Sequence, residues 1–231
     1  MFSLNPSLQS YSWGSKTLIA DLRGEESPTQ HPQAELWYGA HPAAPADIAG
    51  VPLTDIIAAD PDRELGAAVR ARFGDRLPFL LKILAVAEPL SLQAHPSLTQ
   101  AQEGFRRENA QGIDVRAGNR NYRDDNHKPE LIVALTPFHA MAGFRPLAAT
   151  LELFAALDCP SLARYVGMID STGEEAVNLR MLFTTWITIP AAVRKQLIDD
   201  IIVAAKRVVA GGTPAEWHRE TLANIIELDT H

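Results

Sequence analysis

From Pro89 to Pro96 apolar and polar residues alternate without a break. Leu90, Leu92 and Ala94 fall on one side of an extended backbone, and Ser91, Gln93 and His95 on the other. The alternation predicts a strand with one apolar face. In His127-Lys128-Pro129-Glu130, Lys128 and Glu130 share a face, and the run Leu131-Ile132-Val133-Ala134-Leu135 follows, which predicts a second strand. Phe79 to Val86 is apolar at nearly every position and reads as a strand buried on both faces, with Lys82 in its middle. Ser97 to about Gln111 reads as a helix opened by the capping-box form Ser97-Leu98-Thr99-Gln100. Gly112 to Asn126 is loop-like. Upstream, Pro28, Pro32, Pro42, Pro45, Gly50 and Pro52 punctuate the chain into strands and turns.

The period changes at Pro146. Leu147 to Leu157 has helical spacing, and a further helix is predicted from about Glu174 to Ile187. Pro190 suits the first turn of the next, whose apolar stripe is Leu197, Ile198, Ile201, Ile202, Ala205 and Val208 and whose end is Gly211. Thr213-Pro214-Ala215-Glu216 has the capping-box form with proline at the first helical position, and opens a last helix toward Leu228. The stripes predict a helical core. The chain thus divides into a mainly β part, residues 1–145, and an all-α part, residues 146–231, α+β overall.

An apolar content of 46% over 231 residues supplies the core of one large domain or two small ones. The net charge of −7 argues against a nucleic-acid partner, because phosphate backbones need a basic surface. One cysteine, Cys159, rules out an intrachain disulfide framework and fits a reducing cytoplasm. Met1-Phe2-Ser3-Leu4-Asn5-Pro6 lacks the basic and apolar regions of a signal peptide. No apolar run approaches the roughly 20 residues that span a bilayer, so no membrane partner is expected. Phosphate-loop, dinucleotide and nucleophile-elbow motifs are absent.

The polar faces carry the candidate chemistry. Gln93 and His95 offer an amide oxygen and an imidazole nitrogen to one point, and Glu130 on a neighbouring strand would add a carboxylate, with Lys128 beside it. Such N/O donors suit zinc in an open, catalytic site. Spacing alone leaves a second reading open, a surface histidine and a surface Glu130–Lys128 pair. Lys82 either snorkels to the strand end or meets an anion such as a substrate phosphate, to which Ser91 could add a hydroxyl donor. Arg116, Arg120 and Arg123 could reach a phosphate near the metal, but a solvated charged loop is the favoured reading, because Asp114, Asp124 and Asp125 nearly balance them.

Five stretches carry a resemblance: Gln9-Ser10-Tyr11-Ser12-Trp13-Gly14; Ala34 to Pro42; Leu77 to Leu84; Pro89 to Pro96; and Asp125-Asn126-His127-Lys128-Pro129-Glu130-Leu131. In this order and spacing the chain resembles the type I mannose-6-phosphate isomerases, the zinc-dependent phosphomannose isomerases of the cupin class. The resemblance implies a cupin-like jelly-roll core in residues 1–145 holding the metal site, then a helical insertion in residues 146–231, with the chain truncated before a second cupin half. It implies one Zn2+ held by Gln93, His95 and Glu130, with a fourth ligand, a histidine, expected beyond residue 231. Lys128 is implied as the proton shuttle and His127 as a ring-opening group. Lys82 and Ser91 are implied at the sugar phosphate, and Trp13 and Glu35 along the active-site wall.

The activity so implied is interconversion of mannose 6-phosphate and fructose 6-phosphate through an enediol, with a small sugar phosphate as the partner and a monomer as the default state. These 231 residues alone are then expected to be inactive. The alternative from another class is a non-catalytic cupin-type module that binds metal or sugar phosphate, and the missing fourth ligand keeps it open.

Overall fold

The centre of the first half is one short strand with a neighbour on each side. A computed structural model of the protein describes residues 3–170, 172–211 and 216–228 and resolves two compact units, Met1–Leu92 and Gln93–His231. In the first, β2 (Glu35–Tyr38) lies between β1 (Ser7–Gln9) and β5 (Leu81–Leu84), antiparallel to both. The register sets Glu35 opposite Leu84 and Trp37 opposite Lys82. Leu36, pointing the other way from Glu35 and Trp37, is buried with Ile19 of α1 (Leu18–Arg23) and with Ala85. A two-residue turn at Ala49-Gly50, both at positive φ, joins β3 (Asp47–Ile48) to β4 (Val51–Pro52). Helices α2 (Leu53–Ala59) and α3 (Pro61–Phe73) follow, and the Asp60 side chain caps α3 by accepting from the Arg63 N–H.

These helices correct the expectation of a mainly β first part: helix outweighs strand in residues 1–145, and the fold is mixed α+β. The reason lies in burial. Helix α1 buries only Ile19 and Ala20, and α3 buries none of its residues, so neither shows an apolar stripe.

The predicted strands need correction too. Of Phe79–Val86 only Leu81–Leu84 forms a ladder, at the edge of the three-stranded sheet, and Phe79, which precedes it, is 65% exposed. The segments from Pro89 to Pro96 and from Lys128 to Leu135 form no ladder, and Leu92 and Leu131 are 77% and 90% exposed. A strand needs partners for its N–H and C=O groups, and among the described residues these segments have no ladder partner.

In the second unit, Ser97 and Gln100 form a true capping box at the start of α4 (Leu98–Ala110). Glu108 of α4 is buried and gathers the loop that follows, accepting from the Tyr122 N–H at 2.8 Å and from the Asn121 N–H and side-chain amide at 3.1 Å. Arg120, at 3.1 Å from Glu108, is buried as well. This corrects the picture of Gly112–Asn126 as a wholly solvated charged loop: Arg120 is one of its anchors. Helices α5 (Leu147–Leu157), α7 (Glu175–Thr188), α8 (Ala191–Gly211) and α9 (Glu216–Leu228) lie where the sequence predicts helices, and a short α6 (Ala163–Val166), not predicted, stands between α5 and α7. Their core joins Leu153, Leu157, Leu162, Tyr165, Leu182, Leu197, Ala205 and Leu222. The capping box predicted at Thr213–Glu216 lies outside the described residues. Among those residues no single helix is long and apolar enough to cross a membrane.

The loop anchor has a pH signature. The Tyr122 N–H above all, then the Asn121 amides and Arg120, hold the Glu108 carboxyl below its ordinary value of 4.5. A carboxylate with a depressed folded pKa contributes stability that is full above the unfolded value and is lost as the pH falls toward the folded one. The melting temperature should therefore drop as the pH falls below about 4.5, and Glu108→Gln should flatten that part of the curve. An equal acid slope in the variant, read by circular dichroism, would remove Glu108 from the account.

Candidate active site and metal centre

Glu35 and Trp37 alternate with Leu36 on β2, so both stand on the face of the sheet that Leu36 does not use. The Glu35 side chain is only 8% exposed, and the Trp37 Nε1–H donates to its Oε2 at 2.6 Å. Lys82, the cross-strand neighbour of Trp37, brings its Nζ to 3.6 Å from Glu35 Oε1 and to 4.8 Å from the centre of the Trp37 ring. Lys82, expected in the sequence to meet an anion or snorkel to the strand end, thus meets an anion within its own sheet. The Lys82 side chain is still about one-third exposed.

Trp13 is placed by its neighbour Gly14. A Cβ at Gly14 would lie 2.7 Å from the Ala34 backbone, so only glycine allows this approach to the start of β2. The Trp13 carbonyl accepts from Ala87 N–H at 2.9 Å, and its ring stacks on Tyr11 at 5.6 Å. Burial first, and the Glu35 carboxylate second, push the Tyr11 phenol above its ordinary value of 10.0.

Gln93, His95, His127, Lys128 and Glu130 belong to the second unit, and all are exposed. His95 and Lys128 meet: His95 Nδ1 lies 2.6 Å from the Lys128 carbonyl oxygen. A carbonyl can only accept, so Nδ1 carries a proton, and in the neutral imidazole the lone pair is then on Nε2. That is the arrangement a metal-ligating histidine needs, with a backbone acceptor fixing tautomer and ring orientation. One imidazole nitrogen, one amide oxygen and one carboxylate form a donor set that fits zinc. Among the described residues no three His, Cys, Asp or Glu side chains cluster as a metal site; the candidate set draws on an amide instead.

The Lys128 ammonium sits between the two Asp124 oxygens at 2.8 and 2.7 Å, and its side chain is 54% exposed. Asp124, counted in the sequence as balance for the loop arginines, is the partner of Lys128. Ser91 is exposed at the end of the first unit. Two participants went unassigned in the sequence, Trp37 and Asp124. The i, i+2 pairing of Glu35 with Trp37 and the i, i+4 pairing of Asp124 with Lys128 were the available signals.

The family model for phosphomannose isomerase type I, catalytic domain, matches residues 1–147. The chain is 46% identical over 178 residues to the mannose-6-phosphate isomerase of Escherichia coli (strain K12), covering 74% of this chain and 45% of that protein. The mannose-6-phosphate isomerase of Homo sapiens is 38% identical over 160 residues, covering 64% of this chain and 35% of the relative. A crystal structure of the Salmonella typhimurium mannose 6-phosphate isomerase bound to its substrate F6P and zinc matches 98% of this chain and 56% of that one, with a TM-score of 0.78 at 36% identity. A crystal structure of a mannose 6-phosphate isomerase bound with zinc and yttrium matches 98% of this chain and 56% of that one, with a TM-score of 0.78 at 37% identity. The chain spans about half the length of the relatives it matches.

Proposed function

Because the chain belongs to the type I phosphomannose isomerase family, we propose that an enzyme containing it interconverts mannose 6-phosphate and fructose 6-phosphate through an enediol, with zinc held by Gln93, His95 and Glu130. The observation that carries this reading is the 2.6 Å hydrogen bond between His95 Nδ1 and the Lys128 carbonyl. It leaves Nε2 free to ligate, and it links the Gln-x-His segment to the segment that bears Lys128 and Glu130. The Salmonella relative bound to F6P and zinc supports the substrate and the metal. Residues 1–145 serve as the cupin-like, jelly-roll catalytic part and residues 146–231 as a helical insertion.

The reaction opens a sugar ring, moves a proton between C2 and C1, and develops charge on O1 and O2. Zinc, when bound, supplies Lewis-acid stabilisation of that charge. Lys128, once its ammonium has given a proton to solvent, takes the proton from one carbon as the neutral amine and returns it to the other as the ammonium. Its ion pair with Asp124 is exposed on both sides and worth less than about 1 kcal/mol, so substrate can draw the ammonium away at small cost. His127 passes a proton to the ring oxygen on opening. Lys82 binds the phosphate as a point charge, with the Ser91 hydroxyl as a further donor. Trp13 and Glu35 form the wall beside the sugar.

Metal analysis and isomerase assay of this chain, and of the same chain extended by the remaining length of the Escherichia coli relative, test the reading. One zinc per extended chain is expected. Activity should vanish with a chelator and return with zinc, and His95→Ala should lower zinc affinity by about 10-fold or more. Isomerisation that survives complete removal of zinc would overturn it.

A further inference from the structure

Three side chains of one sheet share two interactions that meet at Trp37. Its indole N–H binds Glu35 Oε2 at 2.6 Å, and its ring carries the Lys82 ammonium 4.8 Å from the centroid. The remaining gap, Lys82 Nζ to Glu35 Oε1, is 3.6 Å, longer than a charge-assisted hydrogen bond of about 2.7–2.9 Å. A buried carboxylate facing an ammonium would ordinarily close that gap. Here the indole N–H already holds one carboxylate oxygen, and the ring face supports the ammonium from below. Lys82 has three N–H donors, and its side chain keeps one-third of its surface in solvent.

We propose that Trp37 is a positioning residue for anion binding. It holds Glu35 back from a tight pair and props Lys82 so that the ammonium remains available to a phosphate oxygen. Glu35 still keeps Lys82 in place, but at a distance that leaves charge to spare for the ligand. The proposal rests on the assignment of Lys82 to the phosphate, and it adds the residue that prepares it. The chemical class of ligand is a phosphate monoester dianion.

The test uses the 231-residue chain and inorganic phosphate as the probe, with binding followed by phosphorus-31 line broadening and so independent of turnover. Lys82→Met should weaken phosphate binding about 10-fold or more. Trp37→Phe, which keeps a ring and removes the N–H, should weaken it to a similar extent. In the Lys82→Met background, Trp37→Phe should have no further effect, whereas loosening of the fold alone would add to the loss. If Trp37→Phe fails to fold, benzothienylalanine at position 37, equal in shape to tryptophan but without the N–H, decides by the same criteria. Loss on Lys82→Met with none at position 37, or additive losses, would overturn the role of Trp37 and leave Lys82 assigned. Wild-type binding that is absent, or that does not depend on Lys82, would overturn the Lys82 assignment and this inference with it.

Discussion

Lys128→Met lowers the turnover of an active enzyme carrying this sequence by about 10²-fold or more while zinc content stays unchanged. Methionine keeps the length of the side chain and removes the charge and all three donors. The second half of the expectation comes from which atom of Lys128 touches the segment proposed to hold the metal. His95 bonds the backbone carbonyl of Lys128, not its ammonium, so the substitution leaves the His95 ring oriented and its Nε2 free. Proton transfer and metal retention are therefore separable at one residue. Asp124→Asn gives the contrast: it removes the partner of the ammonium but not the ammonium, and costs far less than Lys128→Met. Turnover and zinc are measured on the same preparations. Turnover near wild type in Lys128→Met would place the proton shuttle on another residue, and a parallel loss of zinc would mean that the side chain supports the metal site rather than the chemistry.

The candidate site residues rest on a local signal: Gln93 and His95, or Lys128 and Glu130, stand two apart, and an extended backbone would put each pair on a common face. The link between the pairs was not legible, because His95 and Lys128 meet across an intervening helix and loop. The longer helices from Leu147 onward were readable because each sends apolar residues into one core, whereas the four-residue α6 is too short to show a period. Helices α1 to α3 were not, because they bury little and announce themselves only through end signals such as Asp60-Pro61 and Gly24. The apolar runs around Phe79 and Leu131 misled for a different reason. Period and apolarity report which face can be buried, not whether anything covers it, and these faces stand exposed. Arg120 was misread because charge balance within a loop says nothing of Glu108, which approaches from the preceding helix.

That arginine carries the largest expected effect on stability. The Arg120 side chain is fully buried. Its guanidinium donates to the Tyr122 carbonyl at 2.6 Å, the Ile113 carbonyl at 2.7 Å, Asn109 Oδ1 at 2.7 Å and the Phe105 carbonyl at 3.4 Å, beside the ion pair with Glu108. It also lies over the Phe105 ring at 5.0 Å. Arg120→Ala strips these acceptors of their donor at once and leaves a carboxylate without its counter-ion. Removing one member of a buried ion pair costs about 3–5 kcal/mol, and for a chain of this size each kcal/mol lowers the melting temperature by about 2–4 °C. A fall of about 6 °C or more is therefore expected. Arg120→Lys should recover little of it, since one ammonium cannot reproduce the planar fork that reaches acceptors on both sides of the loop. Arg116→Ala, at an exposed position of the same loop, should change stability by no more than about 0.5 kcal/mol. The loop includes Asp124, the partner of the Lys128 ammonium, and Arg120→Ala should also make the stretch from Gly112 to Asn126 the first site of limited proteolysis. A melting temperature within 2 °C or so of wild type in Arg120→Ala would show that the loop finds its place without this anchor.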